Sequence, residues 1–387
     1  MSRIDVLLRE FAPDGVPLRA LGEIATLVRG NGLPKTDLTE EGVGAIHYGQ
    51  IYTRYGVWAT STFSYVTPES AAKLAHAEPG DIIITNTSEN LADVGKAVAW
   101  LGEEAIVTGG HATVIKHGLN PKYLAYWFAS ESFDVQKRKL ATGTKVIDVS
   151  AKQLEKIRIP VPPAEVQAEI VRILDQFTQL EAELEAELEA RRTQYEYYRQ
   201  VLLKKSDDAG IRDVALGDII RLNFGARITK KDDAGTLYPV YGGGGESFRT
   251  DSFNREDEWV VSRFAMSANC VRRVVGQFWM LDSGFTFDVI DGAVDKEFVG
   301  QLLLSMQPII FATSTQSAQK NIDVDGFKRL RVQIPSLDMQ RRVASALKSF
   351  DGIVNDLTAG LPAELAARRQ QYEYYRDKLM TFEEASA

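Results

Sequence analysis

The chain has 387 residues, 45 Lys and Arg against 53 Asp and Glu, a formal net charge of −8, four His and one Cys. That length predicts two or three domains, and 44% apolar residues are ample for buried cores, which excludes global disorder. The single Cys270 excludes a disulfide framework and a Cys-based zinc site and fits a reducing cytoplasm. No apolar run approaches the ~18 residues of a membrane span, and the opening MSRIDVLLRE lacks a signal-peptide pattern. The acidic balance argues against coating nucleic acid through bulk charge, but not against a sequence reader whose positive charge is local.

In chain order, residues 1–160 read as a β-rich domain, with the run DIIIT (81–85) as a strand core. Residues 161–205 read as a helix: after Pro162 and Pro163, no Gly or Pro occurs from Ala164 to Lys204, 41 residues or a rod of roughly 60 Å. Ile170, Ile173, Phe177, Leu180 and Leu184 alternate three and four apart, the seam of a coiled coil; the step to Leu188 is a stutter, and Tyr195, Tyr198 and Leu202 resume the rhythm. Within the helix lie the tetrads LEAE, LEAE and LEAR (180–191). One tetrad adds about 6 Å to a helix, close to two base pairs of B-DNA. A solvated Glu-rich face of good helix propensity accounts for the same residues. Residues 206–335 read as a second β-rich domain, with EWVVS (258–262) in the place of DIIIT. Residues 336–387 form a second helical segment, with Val343, Leu347, Phe350, Val354, Leu357 and Leu361 in the same rhythm and a kink near Pro362.

The sequence is written twice. RRTQYEYYRQVLL (191–203) and RRQQYEYYRDKLM (368–380) are identical at nine of thirteen positions. VLLREFAPDGVPLRALGEI (6–24) matches VLLKKSDDAGIRDVALGDI (201–219), and KVIDVSAKQLEKIRIPVP (145–162) runs parallel to KNIDVDGFKRLRVQIPSL (320–337). The chain thus begins inside the unit that residues 368–380 complete. The expected fold is α+β: two β-rich domains separated by two long antiparallel coiled-coil helices, in a pseudo-two-fold circular repeat whose ends lie close together.

Neither domain carries catalytic chemistry. The four histidines form no HExxH, no GxSxG, Walker A or GxGxxG occurs, and Gly242–Gly245 lacks the Lys-Ser/Thr of a phosphate loop. What remains is polar and aromatic side chains in predicted loops. In the first domain these are Lys35, Thr36, His47, Tyr48, Gln50, Arg54, Asn86, Ser88, Asn90, Lys96 and Lys145. In the second they are Lys230, Lys231, Tyr241, Arg249, Arg263, Asn269, Arg272, Arg273, Gln319 and Lys320. Arg, Lys, Asn and Gln make contacts to base edges, while Lys, Ser and Thr serve phosphates. The domains differ here while their helices agree, the pattern of two readers of different DNA half-sites on one frame. In the QYEYYR segments, Tyr198 and Tyr375 are expected in the seam; Tyr195, Tyr197, Arg199, Tyr372, Tyr374 and Arg376 are expected as matching docking faces.

The repeated RR-x-QYEYYR, the IRIPVPP…EIVRILDQF stretch (157–177) and the ALGEI/ALGDI openings resemble the specificity subunit of type I restriction–modification systems. The tetrads and QYEYYR ends are most similar to its type IC branch. The resemblance implies two target-recognition domains on a split, asymmetric DNA site, with helices that set the unread bases between the halves. It also implies docking of two methylation subunits and of restriction subunits in phage defence. This chain is then not an enzyme and binds no cofactor; S-adenosylmethionine, ATP and Mg are expected on the partners. A coiled-coil interaction scaffold, or the specificity subunit of another defence system, remains the alternative.

Overall fold

The computed structural model describes residues 2–204, 210–243, 245–264, 269–315, 321–355 and 360–385. It comprises two compact units, Met1–Leu184 with Leu365–Ala387, and Glu185–Glu364.

In the first unit a five-stranded sheet runs in the order Ala25–Arg29, Ala112–His117, Ile82–Thr85, Ala97–Trp100, Trp58–Ala59. A four-stranded sheet (Ser64–Val66, Val43–Ile46, Ile106–Thr108, Ala75–Ala77) accompanies it. In the second unit a six-stranded sheet runs Ile220–Phe224, Gly284–Val289, Arg255–Ser262, Val271–Met280, Tyr238–Tyr241, Glu246–Thr250. Its first five strands repeat the order of the five-stranded sheet. In both, the fourth and fifth strands are parallel and the others antiparallel. The runs 81–85 and 258–262 therefore fall on corresponding strands, as their composition predicts.

Each sheet carries a helix that is apolar on nearly every side. Pro121–Phe128 begins on Asn120, whose Oδ1 accepts from the Lys122 and Tyr123 backbone N–H groups, and buries every residue from Tyr123 to Phe128. Lys296–Ser305 begins on Asp295 and buries Phe298 to Leu303. A helix apolar all round needs a second cover besides the sheet. In the first unit the long helix Ala164–Lys204 supplies it: Val166, Ile170 and Leu174 join one core with Ile82, Ile84, Tyr123, Trp127 and Phe133. Tyr126 donates to Asp175 at 2.7 Å, and Lys122 pairs with the same carboxylate. In the second unit Leu188, Tyr195, Val343, Leu347 and Val354 close the core over Phe298, Val299 and Leu303. Gly300 lets the helix approach the sheet, since a Cβ there would lie 2.1 Å from the Trp259 ring.

One buried glutamine per unit fixes this geometry. Gln167 accepts from the Asn120 N–H at 2.8 Å and donates to the Pro162 carbonyl at 2.8 Å. Gln340 accepts from the Asp295 N–H at 2.8 Å and donates to the Ala293 and Pro335 carbonyls at 3.0 and 2.8 Å. Each ties the first turn of a long helix to the start of the buried helix and to the proline linker before it.

The long helix spans the predicted residues, but its first turns are not a coiled-coil seam. Val166, Ile170 and Leu174 are fully buried on their own domain, whereas Leu180 is 48% exposed. The steps of four carry that stripe onto the domain face rather than along the three-four alternation of a seam. Farther along, Phe177 stacks on Tyr375 and Glu181 pairs with Arg369 at 2.6 Å, so this stretch lies antiparallel to Leu361–Leu379. The second helical segment comprises two helices, Leu337–Asn355 and Leu361–Leu379, with Pro362 in the first turn of the latter; Leu357 lies outside the described residues. The ends of the first unit meet as expected: Val16 N–H donates to Glu383 O at 2.9 Å and Ala385 N–H donates to Val16 O at 3.2 Å. Gly15 has φ +101° at this junction, where a Cβ would lie 2.8 Å from the Ala385 backbone.

Replacing Gln340 by Ala leaves the Asp295 N–H, the Ala293 carbonyl and the buried Pro335 carbonyl without that partner. Urea denaturation should show a loss of about 2–4 kcal/mol for Gln340→Ala. Gln167→Ala should act in the same direction on the first unit.

Candidate nucleic-acid interface

In the first unit the predicted residues gather around a short helix. Tyr48–Ile51 is capped by His47, whose Nδ1 accepts from the Gly49 N–H at 3.2 Å, while Gln50 Oε1 accepts from the His47 N–H at 3.1 Å. The Tyr48 ring lies 4.5 Å from His47 and 4.8 Å from His111. His111 Nδ1 is 2.8 Å from the Thr87 hydroxyl, and its residue is exposed. Lys35 and Thr36 are exposed on the turn Lys35–Asp37, and Arg54 lies over the Phe63 ring. A cleft of about 440 Å³ is lined by Lys35, His47, Gln50, Tyr52, Arg54 and their neighbours. Exposed Lys35 and Thr36 suit phosphate oxygens, and the aromatic cluster offers a surface to stack against. His111 was not singled out from sequence, because its place beside Tyr48, 63 positions earlier, is set only by the tertiary fold.

Several predicted readers are engaged by other groups of the fold, some buried and some, such as Asn90 and Lys96, at the surface. Asn86 is fully buried, its carboxamide donating to Val149 O at 2.8 Å and accepting from Thr113 Oγ1 at 2.7 Å. Ser88 is buried and accepts from the Asn90 N–H. Gln50 also donates to Ser64 Oγ at 2.6 Å. Asn90 and Lys96 both hold the Asp93 carboxylate, at 2.8 Å each. Ser88 and Asn90 satisfy the backbone that turns there, Asn86 and Gln50 bond groups distant in sequence, and Lys96 is held in an ion pair. Lys145 stands exposed.

In the second unit Lys230 and Lys231 are exposed on Lys230–Asp233, a helix capped by Thr229. Arg249 donates to Leu237 O and pairs with Glu246; Arg273 lies over Trp259 and pairs with Glu297 at 3.7 Å. Asn269 is exposed. Tyr241 packs its ring edge-on against Phe278. Gln319 and Lys320 lie outside the described residues.

Arg263 and Arg272 differ from the rest. Both are half-buried, and neither has an ion-pair partner among the described residues. Arg272 Nη2 donates to Ser262 Oγ at 3.2 Å, and Ser262 in turn donates to Gly242 O. Burial holds the Arg272 guanidinium below the usual arginine range. Arg263 Nε is buried without an acceptor, and its guanidinium lies 5.9 Å from the Phe264 ring. The backbone around them repeats that of the first unit. Asn86 N–H donates to His111 O and Arg263 N–H to Ser283 O, both at 2.8 Å; Val149 and Ile322 donate back to Asn86 O and Arg263 O, both at 2.9 Å. Ile83 pairs with Val98 where Val260 pairs with Arg272. Arg263 thus corresponds to Asn86, and Arg272 to the fully buried Val98.

The QYEYYR segments are also matched, with seam and surface exchanged relative to expectation. Tyr195 is 3% exposed and Tyr372 is half-buried; burial pushes both phenols up to about 12. Arg199 and Arg376 lie over those rings at 5.3 and 5.6 Å. Tyr195, Tyr372, Arg199 and Arg376 therefore belong to the packed side. Tyr198 and Tyr375 stack on Phe350 and Phe177, yet stay 37% and 38% exposed, because the shorter step from Tyr195 to Tyr198 rotates them to the rim. Tyr197 and Tyr374, at 64% and 61%, face outward as expected.

Among the described residues no group of His, Cys, Asp or Glu could hold a metal ion, and no helix is long and apolar enough to cross a membrane.

His47 links this surface to pH. Burial, then the positive charge of Lys35 and the proximity of His111, holds it below the ordinary 6.5. The unfolded chain therefore takes up the proton first, so His47's contribution is constant above about pH 6.5 and is lost as pH falls below it. Protonation also removes the Nδ1 acceptor that caps the helix. The His47 ring should titrate below 6.5 by NMR, and His47→Asn, which keeps a capping acceptor, should flatten the fall in unfolding free energy between pH 7 and 5.

The chain is similar to the EcoprrI specificity subunit of Escherichia coli, a type I restriction enzyme subunit, at 27% identity over 67% of this chain and 71% of that one. It is 28% identical to a putative type I restriction enzyme specificity subunit of Haemophilus influenzae, over 79% of this chain and 82% of that one. Its fold is similar to the crystal structure of the S subunit of a type I restriction–modification system from M. genitalium, with a TM-score of 0.59 and 15% identity over 94% of this chain and 96% of that one. A chain from a structural study of the assembly of a type I R-M system gives a TM-score of 0.61 at 16% identity, covering 96% and 98%. The family model for the type I restriction modification DNA specificity domain matches twice, over residues 13–190 and 210–367, and the chain belongs to that family.

Proposed function

We propose that this chain is the DNA-specificity subunit of a type I restriction–modification complex, each unit reading one half of a bipartite, asymmetric DNA site. The observation that carries this reading is one backbone frame used twice with different polar side chains at corresponding places, among them Asn86 against Arg263. A common frame with divergent edges suits two different half-sites presented to common partners. The exposed lysines and Thr36 position the phosphate backbone, and side chains at the strand ends reach the bases.

The chain itself performs no chemistry. Two methylation subunits dock on the outward tyrosines, Tyr197 with Tyr198 and Tyr374 with Tyr375, and bring S-adenosylmethionine to the adenines; restriction subunits bring ATP and Mg. Aromatic residues that are exposed and matched in the two QYEYYR segments support such paired docking. The complex works in the reducing cytoplasm, where a lone cysteine is stable. Acidic residues outnumber basic ones on this chain, so its DNA binding strengthens when the partners add their own surface.

Gel shifts of the chain co-expressed with its methylation subunit should give sequence-selective binding; a complex with no sequence preference would overturn the reading. Deleting residues 184–187 should shorten the unread gap in the N6-methyladenine motif by about two base pairs. Exchanging residues 206–335 for those of a relative should alter one half of the motif alone.

A further inference from the structure

The frame around Arg263 and Arg272 does not depend on guanidinium side chains at these places. The first unit makes the same hydrogen-bonded frame with Asn86 and Val98 in their places, and both of those are fully engaged in its core. In the second unit the corresponding sheet face carries a small cluster among the described residues, Val260, Val274, Phe278 and Met280 with Tyr241. Arg272 lies beside this small core, at the end of its strand. A half-buried guanidinium without a carboxylate is costly unless something else meets it. Ser262 engages one terminal nitrogen, and Gly245, with φ +119°, passes so close that a Cβ would lie 3.2 Å from the other. The fork is thus oriented by its surroundings before any ligand arrives. Arg263, one residue beyond Ser262, adds a second fork over the Phe264 ring, with its Nε unmet.

Exposed lysines such as Lys230 and Lys231 serve phosphates as point charges. An oriented, desolvated planar fork instead suits the paired O6 and N7 acceptors of guanine in the major groove. We propose that Arg263 and Arg272 are the specificity-determining residues of the second unit and read guanine in its half-site, with Arg272 as the principal contact. The inference rests on the reading of this chain as a DNA-specificity subunit.

The test maps N6-methyladenine left on genomic DNA by the full chain co-expressed with its methylation subunit. Arg272→Val and Arg263→Asn place in the second unit the side chains that the first unit already accommodates, so both should fold. Each should lower the preference for guanine by about ten- to a hundredfold at one position of one half-site and leave the other half-site intact. Arg272→Lys, which keeps the charge but not the fork, should relax the same position. An unchanged motif, or one weakened evenly with a smaller salt dependence, would make these arginines phosphate contacts and overturn the inference. A wild-type complex that modifies DNA without a motif would instead remove the reading beneath it. An insoluble Arg272→Val with a wild-type motif for Arg272→Lys would also overturn the inference, by making Arg272 structural.

Discussion

Everything in this molecule depends on two short helices that are apolar on nearly all sides. Pro121–Phe128 and Lys296–Ser305 lie on their sheets with one face and bury the opposite face under long-helix residues. Neither sheet domain has a finished core without the helical segment next to it. Recognition surface and helical frame are therefore one folding unit, and the buried glutamines Gln167 and Gln340 hold the two parts in a single orientation. Side chains that must meet DNA within a few tenths of an ångström gain from such a mounting, because loops on a rigid scaffold place their groups with little entropy left to lose.

The same arrangement explains why the duplicated sequence diverged so unevenly. Residues that touch the frame answer to packing on several sides, and the QYEYYR segments illustrate this. One tyrosine and the arginine four residues on, Tyr195 with Arg199 and Tyr372 with Arg376, lock into their cores. The next tyrosines stack at the rim and remain partly exposed. The strand ends keep a common set of backbone hydrogen bonds but pack differently in the two units. Asn86 and Arg263 occupy one backbone site with opposite uses, one sealed and one open.

Period and repeat made the helices and the circular order legible from sequence, since the Gly- and Pro-free run ends where the helix ends and the duplicated strings lie on corresponding elements. The facing of individual side chains was less legible. Spacing put both Tyr195 and Tyr198 in the seam rhythm, and the choice of Tyr198 as the seam residue and Tyr195 as a docking residue was the wrong way round, because a helical wheel does not reveal whether the neighbour is a second helix or the chain's own domain. For the surface, residue type was a weak guide. Asn86, Ser88 and Gln50 have the chemistry of base readers, yet their hydrogen bonds are spent within the fold, on Val149, Asn90 and Ser64. His111 looked incidental until strands distant in sequence set it beside Tyr48. Exposure and pairing are tertiary properties, and only the fold distinguishes a reader from a cap.

The junction of Val16 with Glu383 and Ala385 bears on how the protein is made. Residues 365–385 belong to the first unit but leave the ribosome after the whole of 185–364. The second unit can close as soon as its own stretch emerges. The first must wait for translation of that stretch, roughly 10 to 40 s at ordinary elongation rates. During that interval Phe177 lacks its Tyr372 neighbour, and the core that Ile4, Leu7 and Leu8 share with Met380 is incomplete. The half synthesised first is thus the half that matures last, and chaperones would meet this protein through that incomplete core.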